Sequence, residues 1–133
     1  MQSNAVLALR GITIAAVNVG AMVGFYNALF NAGLQPFEGL GTILYRGQMA
    51  GFPFLLCPNE ILGIEADKNR IQLSFTVRDL EAALEMTAAY GGAQIQPISE
   101  QPGRRLCGII DPDGNTIELE ELAPSVGESP VTG

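Results

Sequence analysis

Apolar and polar positions alternate over Ile12-x-Ile14-x-Ala16-x-Asn18, and the same alternation returns 61 residues later as Leu73-x-Phe75-x-Val77-x-Asp79. A period of two predicts a strand in each place. Each strand runs into a residue suited to cap a helix, Asn18 or Asp79, and then into apolar positions at helical spacing. These are Met22, Phe25, Tyr26 and Leu29 in the first copy, and Leu80, Ala83, Leu84 and Thr87 in the second. Glycine closes both stretches, Gly33 in one and Gly91-Gly92 in the other, so helices are predicted over about 19–32 and about 80–91. Three strand-like pieces follow each helix. They are Gln35 to Glu38, Thr42 to Tyr45 and Phe52 to Cys57, then Ala93 to Ile98, Arg105 to Ile110 and Thr116 to Leu122. Glycine-containing turns separate them, the last being Asp111-Pro112-Asp113-Gly114-Asn115. The chain therefore reads as one β-α-β-β-β unit used twice, over residues 5–58 and 69–122 of a single domain spanning 1–122. Residues 123–133 are rich in Pro, Gly and Ser and read as a flexible tail.

Composition narrows what such a duplicated unit does. At 133 residues and 47% hydrophobic the chain has material for one core. Its formal charge of −7, with seven Lys and Arg and no basic cluster, disfavours nucleic acid and anionic membrane surfaces as partners. No apolar run reaches the ~20 residues of a spanning helix, and the first residues, Met1-Gln2-Ser3-Asn4, do not resemble a secretory signal. A cytoplasmic location is expected. Cys57 and Cys107 lack Cys-x-x-Cys spacing and read as buried small hydrophobes. There is no phosphate-binding glycine loop and no Gly-x-Ser-x-Gly elbow. The absence of histidine excludes Ser-His and Cys-His nucleophile pairs.

The β-α-β-β-β order, the run Phe25-Tyr26-Asn27-Ala28-Leu29-Phe30 and the turn Asp111 to Asn115 followed by Glu118 resemble the vicinal oxygen chelate superfamily of glyoxalases, bleomycin-resistance proteins and extradiol dioxygenases. The resemblance covers about residues 7 to 122. It implies an α+β fold in which two βαβββ modules form a pseudo-symmetric cup of curled mixed sheets, with helices outside and a small-molecule site inside. It also implies a homodimer, commonly with each cup assembled from two chains.

Strand alternation then predicts which side chains face that cup. Ile12, Ile14, Ala16, Leu73, Phe75, Val77, Ile117 and Leu119 belong under the helices. Thr13, Gln72, Ser74, Thr116, Glu118 and Glu120 belong on the cup side, and the pairing assumed for the first half adds Phe52, Phe54 and Leu56 as an apolar wall. The ligand-binding set expected is Thr13, Phe52, Phe54, Leu56, Gln72, Ser74 and Glu118.

The resemblance places metal ligands at Gly11, Phe54 or a neighbour, Gln72 and Glu118. Glycine and phenylalanine have no side-chain donor atom, and a catalytic metal site needs about three protein ligands. No metal and no other cofactor is therefore expected. Glu118 has two readings: a carboxylate in a partly apolar cup that accepts a proton or binds a ligand, or a solvated strand residue paired with Arg104 or Arg105. The expected function is metal-free binding of a small apolar or aromatic molecule. The alternative is a lyase, isomerase or dioxygenase-like enzyme using Glu118, with or without a metal shared with Gln72 and an acid from the Glu60 to Asp67 connection. A third reading is an accessory module whose cup is filled by its own side chains.

Overall fold

The alternating sequence of β1 (Ile12–Ala16) buries Ala16 and half-buries Ile12 and Ile14, while Thr13 stays exposed. It is the first element of a computed structural model that describes residues 9–63, 65 and 71–123. Expectations for the first eight residues, for residues 64 and 66–70 of the inter-module connection and for the tail after Ala123 lie outside the described residues. Helix α1 (Val19–Phe30) comes next, then β2 (Gln35–Gly39), β3 (Thr42–Met49) and β4 (Phe52–Pro58). A one-turn helix, α2 (Asn59–Leu62), opens the connection between the two modules, where the sequence pattern predicts no element. The second module has β5 (Leu73–Thr76), α3 (Leu80–Ala89), β6 (Ala93–Gln94), β7 (Ser99–Gln101), β8 (Arg104–Ile110) and β9 (Thr116–Leu122).

Two differences from the predicted elements have local causes. The strand expected over Ala93 to Ile98 is split into β6 and β7, because Pro97 between them has no N–H to give to a ladder. Helix α1 stops before Gly33, since Asn31 already takes the left-handed conformation at φ 52°, which asparagine tolerates better than most residues.

The strands form two sheets, ordered β1-β4-β3-β2 and β5-β9-β8-β6, with β7 also paired to β8. In each, the first strand lies parallel to the last, Ile12 opposite Phe54 and Leu73 opposite Ile117. This is the expected α+β arrangement of two β-α-β-β-β modules, with the extra break at Pro97. Both sheets turn their apolar faces onto the same layer of helices. The single core joins Leu56 and Phe54 of the first sheet, Met22, Phe25 and Tyr26 of α1, Leu80 of α3, and Ile109, Ile117 and Leu119 of the second sheet. Tyr26 lies 5.2 Å from Phe54 between ring centres, and Phe30 stacks on Phe75 at 4.1 Å. The other faces of the two sheets consequently point away from this core.

The register corrects one sequence expectation. Residues directly opposite in a ladder share a face, so Phe54 and Leu56 go with Ile12 and Ile14, and Phe52 has the same parity. Phe54 and Leu56 are 2% and 0% exposed and belong to the core beneath α1. The concave face of β4 carries Pro53, Leu55 and Cys57 instead.

The modules are tied by the Asp111 to Asn115 turn. Asp111, 1% exposed, accepts hydrogen bonds from the Tyr26 hydroxyl at 2.9 Å, from the backbone N–H of Asp113 and Asn115, and from Asn115 Nδ2. Asp113 in turn accepts from the backbone N–H of Val17 at 2.7 Å, the backbone N–H of Asn18 at 2.9 Å and Asn18 Nδ2 at 2.8 Å. The amides entering α1 are therefore met by a carboxylate 95 residues away, and Asn18 makes no side-chain cap of its own. Asp79 does cap α3, accepting from the Ala82 N–H at 3.0 Å.

Two stability predictions follow from these contacts. Burial first, then the Asp111 and Asp113 carboxylates, raises the Tyr26 phenol well above its ordinary range. The folded state thus holds that proton more tightly than the unfolded chain. Its stabilising contribution is complete below about pH 10 and declines as pH rises further. Tyr26→Phe should cost about 1–2 kcal/mol at neutral pH and should flatten the alkaline loss of stability, measured by urea unfolding near neutrality and at about pH 11. Gly47 offers the second test: a Cβ there would sit 2.1 Å from the Ala32 carbonyl oxygen, the same oxygen that accepts the Gln48 N–H at 2.9 Å. Gly47→Ala should destabilise by about 1–3 kcal/mol or more, seen as a lower urea midpoint with an unchanged slope.

Candidate functional site

Each concave face is organised in rows that cross the strands. On the first sheet, Thr13 of β1 lies opposite Leu55 of β4, Leu55 opposite Arg46 of β3, and Arg46 opposite Gln35 of β2. On the second, Ser74 lies opposite Glu118, and Glu118 opposite Gly108. Gly108 in turn accepts from the N–H of Ile95 through its carbonyl. Thr13 and Ser74 are the same position of the duplicated unit, 61 residues apart. The counterpart of Glu118 is therefore Leu55, and that of Gly108 is Arg46. A neighbouring row brings Phe37 and Leu44 together on the first sheet, and Thr76, Glu120, Leu106 and Ser99 on the second.

Of the expected ligand-binding residues, Gln72, Ser74 and Glu118 share the concave face of the second sheet. Thr13 lies on that of the first, and Phe52, Phe54 and Leu56 lie on neither. The Ser74 hydroxyl donates to Glu118 Oε1 at 3.2 Å, and no cation pairs with Glu118 among the described residues. Arg104 pairs with Glu120 at 2.9 Å, and Thr76 donates to the same carboxylate at 3.1 Å. The hydrogen bond from Arg104, then that from Thr76, lowers the Glu120 pKa. Arg105 points to the helix side, where it pairs with Glu81 and with Glu121 at 2.8 Å. The solvated-pair reading of Glu118 with either arginine thus gives way to a hydrogen bond from a neighbouring strand.

The positions that would hold a metal do not fit one. With the register corrected they are Gly11, Leu55, Gln72 and Glu118, which together offer one amide and one carboxylate, short of the three ligands required. Asp79, Glu81 and Glu121 bring carboxylate oxygens within 4.8 Å of one another, but each already has a task. Asp79 caps α3, Glu121 accepts the Leu80 N–H, and Arg105 sits between Glu81 and Glu121. Of the Glu60 to Asp67 acids, Glu60 and Glu65 are exposed, and Asp67 lies outside the described residues. An open depression of about 560 Å³ at the β2–β3 turn is lined by Glu38, Gly39, Gly41, Thr42 and Ile43, and includes none of the row residues.

Sequence reasoning missed Leu55, and did not include Arg46 in the expected binding set. Arg46 lies on the concave face with its guanidinium 4.0 Å over the Phe37 ring, whereas its neighbour Tyr45 packs against the core. The strict alternation of Leu44, Arg46 and Gln48 against Tyr45, Gly47 and Met49 was the available signal.

Comparisons agree with this architecture. A glyoxalase-related enzyme from Fulvimarina pelagi superposes with a TM-score of 0.67 at 21% identity, over 87% of this chain and 88% of that one. A glyoxalase/bleomycin resistance protein from Albidiferax ferrireducens gives 0.66 at 20% identity, over 86% and 98%. The fosfomycin resistance protein FosX of Listeria monocytogenes gives 0.69 at 17% identity, over 90% and 96%, and a variant of it was crystallised with Mn(II) and a dihydroxypropylphosphonic acid. At these identities the likeness is one of fold. No curated protein matches the sequence significantly. The glyoxalase-like domain family matches residues 11–120, nearly the whole of both modules, and this chain belongs to that family.

Proposed function

We propose that this protein binds a small, largely apolar or aromatic molecule without a metal, in a cup that two copies complete. The observation that carries the reading is that both concave faces are turned away from the one helical core that the two sheets share. Thr13 and Leu55 on one face meet Ser74 and Glu118 only across a second chain. A homodimer in which the first sheet of one copy faces the second sheet of the other encloses both sets. Its interior has apolar side chains from Leu55 and Pro53, and polar groups from Thr13, Gln72, Ser74 and Glu118, the mixture that small-molecule sites use. The donor set supports a metal-free site. Two buried free cysteines, Cys57 and Cys107, suit a reducing cytoplasmic setting, and no helix among the described residues is long and apolar enough to cross a membrane.

A second reading, catalysis, is favoured by Glu118 itself. It carries a hydroxyl donor and no cation among the described residues, which leaves its second oxygen available as a general base toward an acidic C–H or O–H of a bound molecule. The glyoxalase-related and fosfomycin-resistance neighbours make this the natural alternative.

Purified protein should retain no stoichiometric zinc, nickel, manganese or iron after dialysis. About one equivalent by elemental analysis, lost in Glu118→Ala, would overturn the metal-free assignment. Sedimentation at micromolar concentration should give twice the chain mass of 14.1 kDa. A ligand found in a thermal-shift screen should raise the melting temperature with concentration. Its affinity should fall in Glu118→Gln or Leu55→Ala. A ligand indifferent to both lies outside the cup, and conversion of that ligand abolished by Glu118→Gln establishes the enzyme reading.

A further inference from the structure

The duplicated unit supplies its own control for deciding which concave-face residues serve the fold. Leu44 in the first module has Leu106 as its counterpart, and Thr13 has Ser74, so these positions are filled alike in both. Arg46 and Phe37 are not. Arg46 occupies the place of Gly108, and Phe37 the place of Ser99, which lies opposite Leu106 in the β7–β8 ladder. The second module builds the same four-strand order without a cation or a ring at these sites. The scaffold therefore does not require either residue.

Their arrangement is that of a prepared anion site. Arg46 is exposed, and no carboxylate among the described residues pairs with it, although the protein is acidic and both Arg104 and Arg105 hold carboxylates. Its guanidinium carbon lies 4.0 Å over the centre of the Phe37 ring. The ring face holds the cation in place without using its N–H donors, which stay available for the paired hydrogen bonds that a guanidinium gives to a carboxylate or phosphonate. Gln35, directly opposite on β2, adds a neutral polar group, while Leu55 on the other side and the Phe37 ring provide apolar contact.

We infer that Arg46, stacked on Phe37, is the anion-recognition element of the cup, and that the ligand is an aromatic or apolar molecule bearing a carboxylate or phosphonate. This rests on the cup-binding reading and adds to it the charge and end-group of the ligand. Glu118, on the facing sheet, repels a second anionic group, so the ligand carries its anion at the Arg46 end.

The test uses the full-length dimer with benzoate and phenylphosphonate as anionic probes and benzamide as the neutral isostere, by calorimetric titration. Benzoate or phenylphosphonate should bind while benzamide binds at least about tenfold more weakly, and Arg46→Gln should weaken the anion about tenfold or more. Arg46→Lys should retain part of the affinity, since it keeps the charge and loses the fork. Sedimentation of Arg46→Gln should still give a dimer. Anion affinity within twofold of the parent in Arg46→Gln, or dissociation of that variant to monomers, overturns the inference. Binding of benzamide as tight as that of the anions, sensitive to Glu118→Gln, overturns it while leaving a cup that binds neutral molecules. An intact dimer that binds none of the probes, and nothing in a broad neutral screen, removes both readings.

Discussion

Asp111 is a carboxylate taken almost completely out of water, and burying such a group is costly unless its oxygens are met by donors. Four donors meet it here, one of them the Tyr26 hydroxyl from the helix of the other module. That single requirement shapes the turn around it. With the Asp113 and Asn115 amides drawn to Asp111, the Asp113 carboxylate is left facing Val17 and Asn18, where it receives the amides that lead into α1. The helix of the first module is thereby pinned along its length to the second sheet, by Asp113 at its start, Asp111 at its middle and the stack of Phe30 on Phe75 near its end. The outward pose of both concave faces is a consequence, because it is this helix that both sheets share.

The two sequence signatures that carry the family resemblance, Phe25-Tyr26 and Asp111 to Asn115, are thus the two halves of one contact. Each is legible in the sequence as a motif, but the hydrogen bond between them spans 85 residues and no local pattern announces it. The same holds for Asn18, whose place before a helix suggests a self-made cap and whose partner is remote. By contrast, Asp79 caps through a residue three positions on, within reach of local reasoning.

Strand faces were legible wherever apolar and polar residues alternate. Ile-Thr-Ile-Ala-Ala, Leu-Ser-Phe-Thr and Thr-Ile-Glu-Leu-Glu-Glu-Leu place Thr13, Ser74, Glu118 and Glu120 correctly on the concave side. Strand β4 reads Phe-Pro-Phe-Leu-Leu-Cys-Pro, apolar at both parities, so period two has nothing to act on. Only its ladders with β1 and β3 fix its register, and a one-residue slip moves every side chain to the other face. That is why Phe54 was expected where Leu55 stands. The helix ends and the break at Pro97 are smaller losses of the same kind, decided by one residue's backbone preference.

The division of labour between the faces has a genetic corollary. In a twofold pair assembled through them, every chain lends its first sheet to one cup and its second sheet to the other. On the proposed reading, a chain impaired only at Arg46 and a chain impaired only at Glu118 would each form homodimers in which both cups are impaired. Mixed together they form a heterodimer in which both lesions fall in one cup and the other cup is whole. Two defective alleles can therefore complement each other, restoring one of the two cups in every heterodimer without any reversion of sequence.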